Sequence, residues 1–275
     1  MTAGATRETP RTAGLVEAAA EEFLRTHDDR GGCDIVVVIP AFNEEASVAP
    51  VVLAVPGEIG GLRTSALVVD DGSSDATAAT AEGAGAMVCR VGENVGQGVA
   101  LRLGYRLASD LGARYIATAD ADGQFDPAEL PRLMAPLLAG DADFVNGSRR
   151  LGVNVQTDRV RRLGVVVFGA VISAVTGVHL TDPSNGLRAW RTEVTDTVVL
   201  KQPQYQTSEL LIRTIAHGFR VAEVPATMYE RSAGMSKKGR NWRYGLRFGR
   251  VIATTAWEER AGLVGARKPS RRRAR

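Results

Sequence analysis

A chain of 275 residues with 44% apolar content has room for one large domain or two small ones, with a sizeable core. Its 34 basic and 31 acidic residues leave a net charge of +3, too slight for a nucleic-acid binder without a localised basic patch. Cys33 and Cys89, with no CxxC pair or histidine cluster, support neither a disulfide framework nor a zinc site and fit a reducing cytosol.

Residues 1–32 lack the apolar core of a signal peptide, and no stretch reaches the roughly 18 uncharged apolar residues of a membrane span. They read as a flexible extension, unstructured over 1–12, with a short amphipathic helix over Leu15–Arg25. The run Asp34–Ile39, stopped by Pro40, is continuously apolar after its first residue, as expected of a parallel strand buried on both faces. A helix over Ser47–Val55 follows, then a strand Ala66–Val69 that runs into Asp70-Asp71-Gly72-Ser73-Ser74-Asp75. Ser74 or Asp75 is positioned to cap the next helix, Ala76–Glu82. A third strand covers Ala86–Val91, a helix Gly98–Leu111, and a fourth strand Tyr115–Ala119. Asp126-Pro127 opens a helix to Leu138, and Asp143–Gly147 makes a fifth strand. This alternation predicts a doubly wound α/β fold.

Beyond Ser148 the character changes. Leu163–Val175 is uncharged for about thirteen residues, a length that favours a buried or interfacial helix over a spanning one, with core burial expected because apolar helices usually serve packing. A helix Thr207–His217, a strand Arg220–Val224 and a final helix Trp242–Glu258 complete the pattern. His27, His179 and His217 have no partner at ligand spacing and read as structural.

Three strand ends carry polar clusters: Pro40–Glu45, Asp70–Asp75 and Asp120–Gln124. Each alone reads as a polar turn. Together they line the carboxyl edge of a parallel sheet, where open α/β sheets bind ligands. Asp120 and Asp122 would face the same way if their strand persisted, and could then share one hard divalent cation.

The segments VVIPAFNEE, LVVDDGSSDAT, GENVGQGVALRLGY, TADADGQFDP and VNGSRR, spanning about residues 34–150, resemble the family 2 glycosyltransferases. The later pieces DPSNGLRAWR, QTSELLIR and YERSAGMSKK are similar to the dolichyl- or polyprenyl-phosphate hexosyltransferase branch. The resemblance implies a GT-A fold, a Rossmann-like, mainly parallel sheet flanked by helices, over residues 33–232. A basic loop and amphipathic helix (233–260) and a basic, disordered tail (261–275) would follow. It further implies that Pro40, Phe42 and Glu44 line the base and ribose pocket, that Asp71 hydrogen-bonds the base, and that Asp70 supports the loop. Asp120, Ala121 and Asp122 match the DxD motif, with Asp122 the main ligand of Mg²⁺ or Mn²⁺ and Gln124 a neutral oxygen ligand or diphosphate contact. Arg149, Arg231, Ser236 and Lys237 match positions that contact the diphosphate or the acceptor phosphate. The sequence departs from the family at Gln97, where lysine is frequent, and at Phe42, where tyrosine is frequent.

Transfer to a hydroxyl needs a general base, whereas a lipid phosphate is already anionic and attacks unaided. Glu209 is read as that base, as an organiser of the acceptor site, or as a helix-capping residue beside Thr207 and Ser208. The acid-free, basic and aromatic stretch from Arg231 to Arg250 suits anionic lipid headgroups; the basic tail either extends that surface or solubilises the chain. The expected activity is inverting, metal-dependent transfer of a hexose from a nucleotide sugar, of GDP-mannose or UDP-glucose type, to a polyprenyl phosphate. It would take place peripherally at the cytoplasmic membrane face, and leaves room for a separate membrane-anchoring subunit. The rivals are a soluble or cell-wall saccharide acceptor and a catalytically silent nucleotide-sugar-binding subunit. A nicotinamide-binding site is disfavoured, because Gly96-Gln97-Gly98 lacks a third glycine at the right spacing.

Overall fold

The β-branched run after Asp34 forms strand β1 (Ile35–Ala41), with Ile35, Val37 and Ile39 in one core cluster and Val36 and Val38 in the other. Because helices cover both faces, the strand shows no polar alternation. This computed structural model describes residues 9–27, 32–153, 155, 159–202, 206–230 and 241–266. Strands β3 (Leu62–Asp71) and β5 (Tyr115–Thr118) flank β1 in parallel, and β4 (Met87–Val91) adds in parallel to β3. A two-residue β2 (Glu58–Ile59) folds back on β3 as an antiparallel pair. Helix α4 (Gln97–Asp110) packs Leu103 and Leu107 into the first core; α2 (Val48–Leu53) and α5 (Leu130–Leu138) fill the second. Helix α3 (Thr77–Gly83) follows β3.

The second half departs from simple alternation. Strand β6 (Phe144–Ser148) does not join β5, because β7 (Arg188–Arg191) lies between them, antiparallel to both. Strand β8 (Val221–Pro225) then pairs in parallel with β6. The resulting order is β2-β3-β1-β5-β7-β6-β8, with β4 on the outside of β3. Sequence patterning misses β7 because an arginine stands at each end of its four residues and leaves only Ala189 and Trp190 between them. Since β7 runs against its neighbours, it starts at the edge where β5 and β6 end, and the 182–187 turn before it is delivered to that edge.

Helices α6 (Arg159–Thr176), α7 (Thr192–Thr197), α8 (Gln206–Ala216), α9 (Asn241–Glu258) and α10 (Arg260–Ala266) complete the chain. Helix α6 is not the buried core helix its composition predicts: Ile172 and Thr176 are buried, but Leu163, Val166, Val167 and Val171 are exposed. Helix α10 overlaps the start of the stretch read as a disordered tail, and Leu263 is buried in the first core.

The N-terminal extension also holds more structure than expected. Helix α1 (Pro10–Thr26) starts with proline in its first turn, and Thr9 Oγ1 accepts a hydrogen bond from Thr12 N at 3.2 Å. Its Ala19, Ala20 and Phe23 are buried against β4 and α4, and the Cys89 thiol donates to Ala19 O at 3.6 Å. Burial pushes the Cys89 thiol up to about 12, so it stays a neutral, unreactive core group.

Candidate active site at the carboxyl edge of the sheet

The loops after β1 and β3 are tied into one platform. Asn43 adopts φ 52°; its N–H donates to Ser73 Oγ at 2.9 Å, and its Oδ1 accepts from Ser74 N at 2.9 Å. Asparagine tolerates this left-handed conformation better than most residues. Glu44 N donates to Thr77 Oγ1 at 2.8 Å, and the Glu45 carboxylate accepts from Ala76 N at 2.9 Å. Asp75 Oδ1 accepts from Thr77 N at 3.0 Å, so it supports the start of α3 one residue before the formal cap, Ala76. Pro40, Phe42 and Glu44 sit half-buried at the rim of this platform, with Glu44 Oε2 accepting from Ser47 Oγ at 3.0 Å.

Both acids that end β3 organise loops. Asp70 Oδ1 accepts from Ser73 N at 3.0 Å, while its other oxygen lies 3.4 Å from Arg90 Nε. Asp71, expected to meet the base, accepts from Val95 N at 2.7 Å and Gly96 N at 2.9 Å, which clamps the loop between β4 and α4. That loop closes so tightly that a Cβ on Gly72, at φ 71°, would come within 2.4 Å of the Glu93 backbone. Burial raises the Asp71 pKa, the two amide donors pull it down, and the neighbouring Asp70 adds to the rise. A carboxyl raised in the folded state contributes stability fully present below its unfolded value and lost as pH climbs through its folded value. Asp71→Asn, which is never charged, should therefore gain stability relative to the parent as pH rises above about 4. Urea titrations across pH that show a constant difference would refute this.

Strand β5 stops at Thr118, so the alternation expected to align Asp120 with Asp122 does not apply. The two acids occupy the turn that follows. Asp122 is buried, and its Oδ1 accepts from Gln124 N at 3.0 Å; Ala121 and Gln124 are buried beside it. Asp120 is half-buried against Gly186, where an added Cβ would lie 2.2 Å from its Oδ2. Thr118 Oγ1 locks the same turn by donating to Gly186 O at 2.8 Å. Among the described residues the Asp120 carboxylate has no hydrogen bond or ion pair; Arg188 and Tyr105 are its electrostatic neighbours. No group of three or more His, Cys, Asp or Glu able to hold a metal occurs among the described residues. Two carboxylates and an amide oxygen suit a hard cation that shares its remaining positions with ligand oxygens.

Sequence reasoning assigned no role to the residues that hold the 182–187 turn. Arg188 is fully buried, donating through Nε to Asn185 O at 2.7 Å, through NH2 to Pro183 O at 2.6 Å, and to Thr207 O. Burial lowers its pKa to about 10, with Tyr105, Asp182, Asp120 and Glu223 opposing the fall, so it remains a cation at neutral pH. Glu223 of β8 grips the turn's start, accepting from Thr181 N at 2.7 Å, Asp182 N at 3.1 Å and Asn146 Nδ2 at 3.0 Å. The available signal was DPSNGLRAWR itself: an arginine set in an otherwise apolar Leu187-Arg188-Ala189-Trp190 run asks for buried acceptors.

Arg149 stands at the end of β6, but its guanidinium is already engaged. It meets Asp182 at 2.6 Å and 2.5 Å and Ser184 Oγ at 2.7 Å. Glu209 is fully buried; it accepts from Lys201 N at 2.9 Å, Gln202 N at 2.8 Å and Arg213 Nε at 3.0 Å. This geometry is that of an organiser of the 201–202 segment, with three of the carboxylate's roughly four acceptor sites taken by protein donors. Arg231, Ser236 and Lys237 lie outside the described residues; two residues before Arg231, Tyr229 N donates to Gln124 O at 2.9 Å.

A mixed sheet whose carboxyl edge gathers knitted loops, an acidic turn and arginine-held backbone is the frame of an α/β enzyme that binds its ligand at that edge. The family model described as Glycosyl transferase family 2 matches residues 36–199, and the chain belongs to that family. It is similar to the dolichyl-phosphate hexose transferase of Haloferax volcanii, 30% identical over 230 residues, covering 84% of this chain and 97% of that one. The undecaprenyl-phosphate mannosyltransferase of Micrococcus luteus is 30% identical over 250 residues, covering 85% and 97%. Among solved structures, glucosyl-3-phosphoglycerate synthase from Mycobacterium tuberculosis in complex with Mg²⁺ and uridine diphosphate aligns with a TM-score of 0.63 and 24% identity, covering 90% of this chain and 82% of that one. The fold is thus GT-A, and the protein is a glycosyltransferase with polyprenyl-phosphate sugar transferases among its relatives.

Proposed function

We propose that this enzyme transfers a hexose, with inversion, from a nucleotide sugar to a polyprenyl phosphate at the cytoplasmic membrane face, assisted by a divalent cation. The observation that carries the reading is the Asp120 carboxylate, held at the sheet edge against Gly186 without a hydrogen bond or ion pair among the described residues. Mg²⁺ or Mn²⁺ held by Asp120 and Asp122, with Gln124 beside them, would supply neutralisation of the diphosphate leaving group. The chain's own residues do the positioning. Phe42 offers a face for base or sugar, with Pro40 and Glu44 at the same rim, while Asp71 keeps the neighbouring loop closed. Arg149 acts mainly by fixing the 182–187 turn through Asp182, and Arg231, Ser236 and Lys237 are assigned to the phosphates. The catalytic unit is taken as 33–232, with 233–260 as a basic loop and helix.

A phosphate acceptor needs no dedicated base, and the names of the two relatives support such an acceptor. Glu209→Gln is accordingly expected to change kcat less than about threefold, where loss of a general base removes about a hundredfold or more. It should lower stability by about 1–3 kcal/mol, because its new NH₂ faces a backbone donor. A hundredfold fall in kcat with unchanged stability would restore Glu209 as the base.

The reading is tested by incubating the protein with labelled nucleotide sugars and a polyprenyl phosphate, with and without EDTA. Label is expected in the lipid phase, and only with metal present. Label confined to an aqueous product rejects the lipid acceptor; transfer unaffected by EDTA rejects the metal.

A further inference from the structure

Helix α1 lies outside the segment matched by the family model, residues 36–199, yet it is built into the domain. Ala19, Ala20 and Phe23 are buried in the first core; Leu15 and Val16 pack against the same cluster, as does Val95 of the loop between β4 and α4. The helix packs on β4, the strand outside β3, and its first turns reach that loop. Arg11 forms an ion pair with Glu93. A Cβ on Gly92 would lie 3.8 Å from Leu15 Cδ2, so the Leu15 side chain rests against the backbone where the loop begins. Further along the helix, the Glu17 carboxylate takes both terminal nitrogens of Arg106 on α4, at 2.6 Å and 2.9 Å.

What the loop touches on its other side gives the helix a role. Asp71 accepts from Val95 N and Gly96 N, and Gly72 approaches the Glu93 backbone so closely that no Cβ fits between them. The 92–96 loop is therefore held between α1 on the outside and the Asp70–Asp75 turn on the inside, and Gly96 at its end caps α4. With no slack between Glu93 and Gly72, a shift of the loop is passed to Asp71 and to the rim of the platform. We propose that α1 is a brace that sets the 92–96 loop and through it the affinity for the nucleotide half of the donor, with Arg11 and Leu15 as its positioning residues. An exposed ion pair alone contributes little. Here the pair is joined by an aliphatic contact on a helix anchored at Phe23, so most of the ordering entropy is already spent on packing the helix. The inference rests on the reading of the Asp70–Asp75 loop as part of the nucleotide pocket, and adds to that pocket a segment from outside the matched residues.

The test is calorimetric titration of UDP and of GDP, with Mg²⁺, into the full chain and its variants. Point substitutions are used because removal of α1 would open the first core at Phe23 and test folding instead. The double variant Arg11→Glu, Leu15→Ala is expected to bind the parent's nucleotide about tenfold more weakly, the scale of a reversed exposed pair plus a trimmed, half-buried aliphatic side chain. Its KM for the donor should rise by a similar factor, with kcat and the acceptor KM unchanged. Combining Arg11→Glu with Glu93→Arg restores an opposite-charge pair and should return affinity to within about twofold of the parent, a rescue that a general loss of stability would not give. Glu17→Gln loosens the same helix at α4, away from the loop, and should bind nucleotide as the parent does. Parent-like affinity in the double variant overturns the brace alone. So does a loss in Glu17→Gln as large as that of the double variant, because the effect would then be one of stability. A parent that binds neither nucleotide overturns the pocket reading and the brace together.

Discussion

Asp122→Asn is expected to lower kcat/KM by about a thousandfold while leaving the folded structure intact. The amide retains an oxygen that can accept from Gln124 N, so the turn after β5 keeps its internal hydrogen bond. What disappears is one negative charge beside Asp120. If a cation held there neutralises the leaving diphosphate, that charge is worth several kcal/mol in the transition state, and the fall in rate follows. Asp122→Ala should show the same kinetic loss with an added destabilisation of about 1 kcal/mol from the lost turn bond. Mn²⁺ affinity, followed by electron paramagnetic resonance, should weaken in both variants. Normal Mn²⁺ binding together with full transfer in Asp122→Asn would remove this residue from the metal site.

Arg188→Met is expected to cost about 3–5 kcal/mol of stability, the largest effect of any single substitution proposed for this chain. The guanidinium occupies a site with no water access and joins three carbonyls, of Pro183, Asn185 and Thr207. Methionine fills similar space but leaves those acceptors unmade and removes the cation that balances Asp120, Asp182 and Glu223. Lysine is a poor substitute, because one ammonium cannot reproduce a planar fork with divergent partners. Against a total stability of about 5–15 kcal/mol, Arg188→Met approaches the limit of folding. The urea midpoint measures the loss; a midpoint within experimental error of the parent would mean that the turn is held by Glu223 and Asp182 alone.

How much of this was legible beforehand depended on the range of each interaction. The strands β1, β3, β4, β5 and β6 announce themselves as apolar, β-branched or aromatic runs, because a strand covered on both faces has no polar side to mix in. The loops that knit together after β1 and β3 were also foreshadowed, since Asn43, Ser73, Ser74 and Asp75 are residues that hydrogen-bond nearby backbone. By contrast β7 carries no strand signal of its own. Its place is set by neighbours more than forty residues away in sequence, which close over Arg188 and Trp190.

Residue types and their order in the sequence determined the family, the α/β class and the three acidic or polar strand ends, because strand composition and local turn chemistry are short-range properties. Only the tertiary structure decided what each charged group does there. Asp71 became a loop clamp, Arg149 the partner of Asp182, Glu209 a buried acceptor of backbone amides, and α6 a helix with one face left bare. Those outcomes depend on which carbonyls, amides and counter-charges meet each side chain after burial, and such partners come from distant segments joined by the antiparallel insertion of β7.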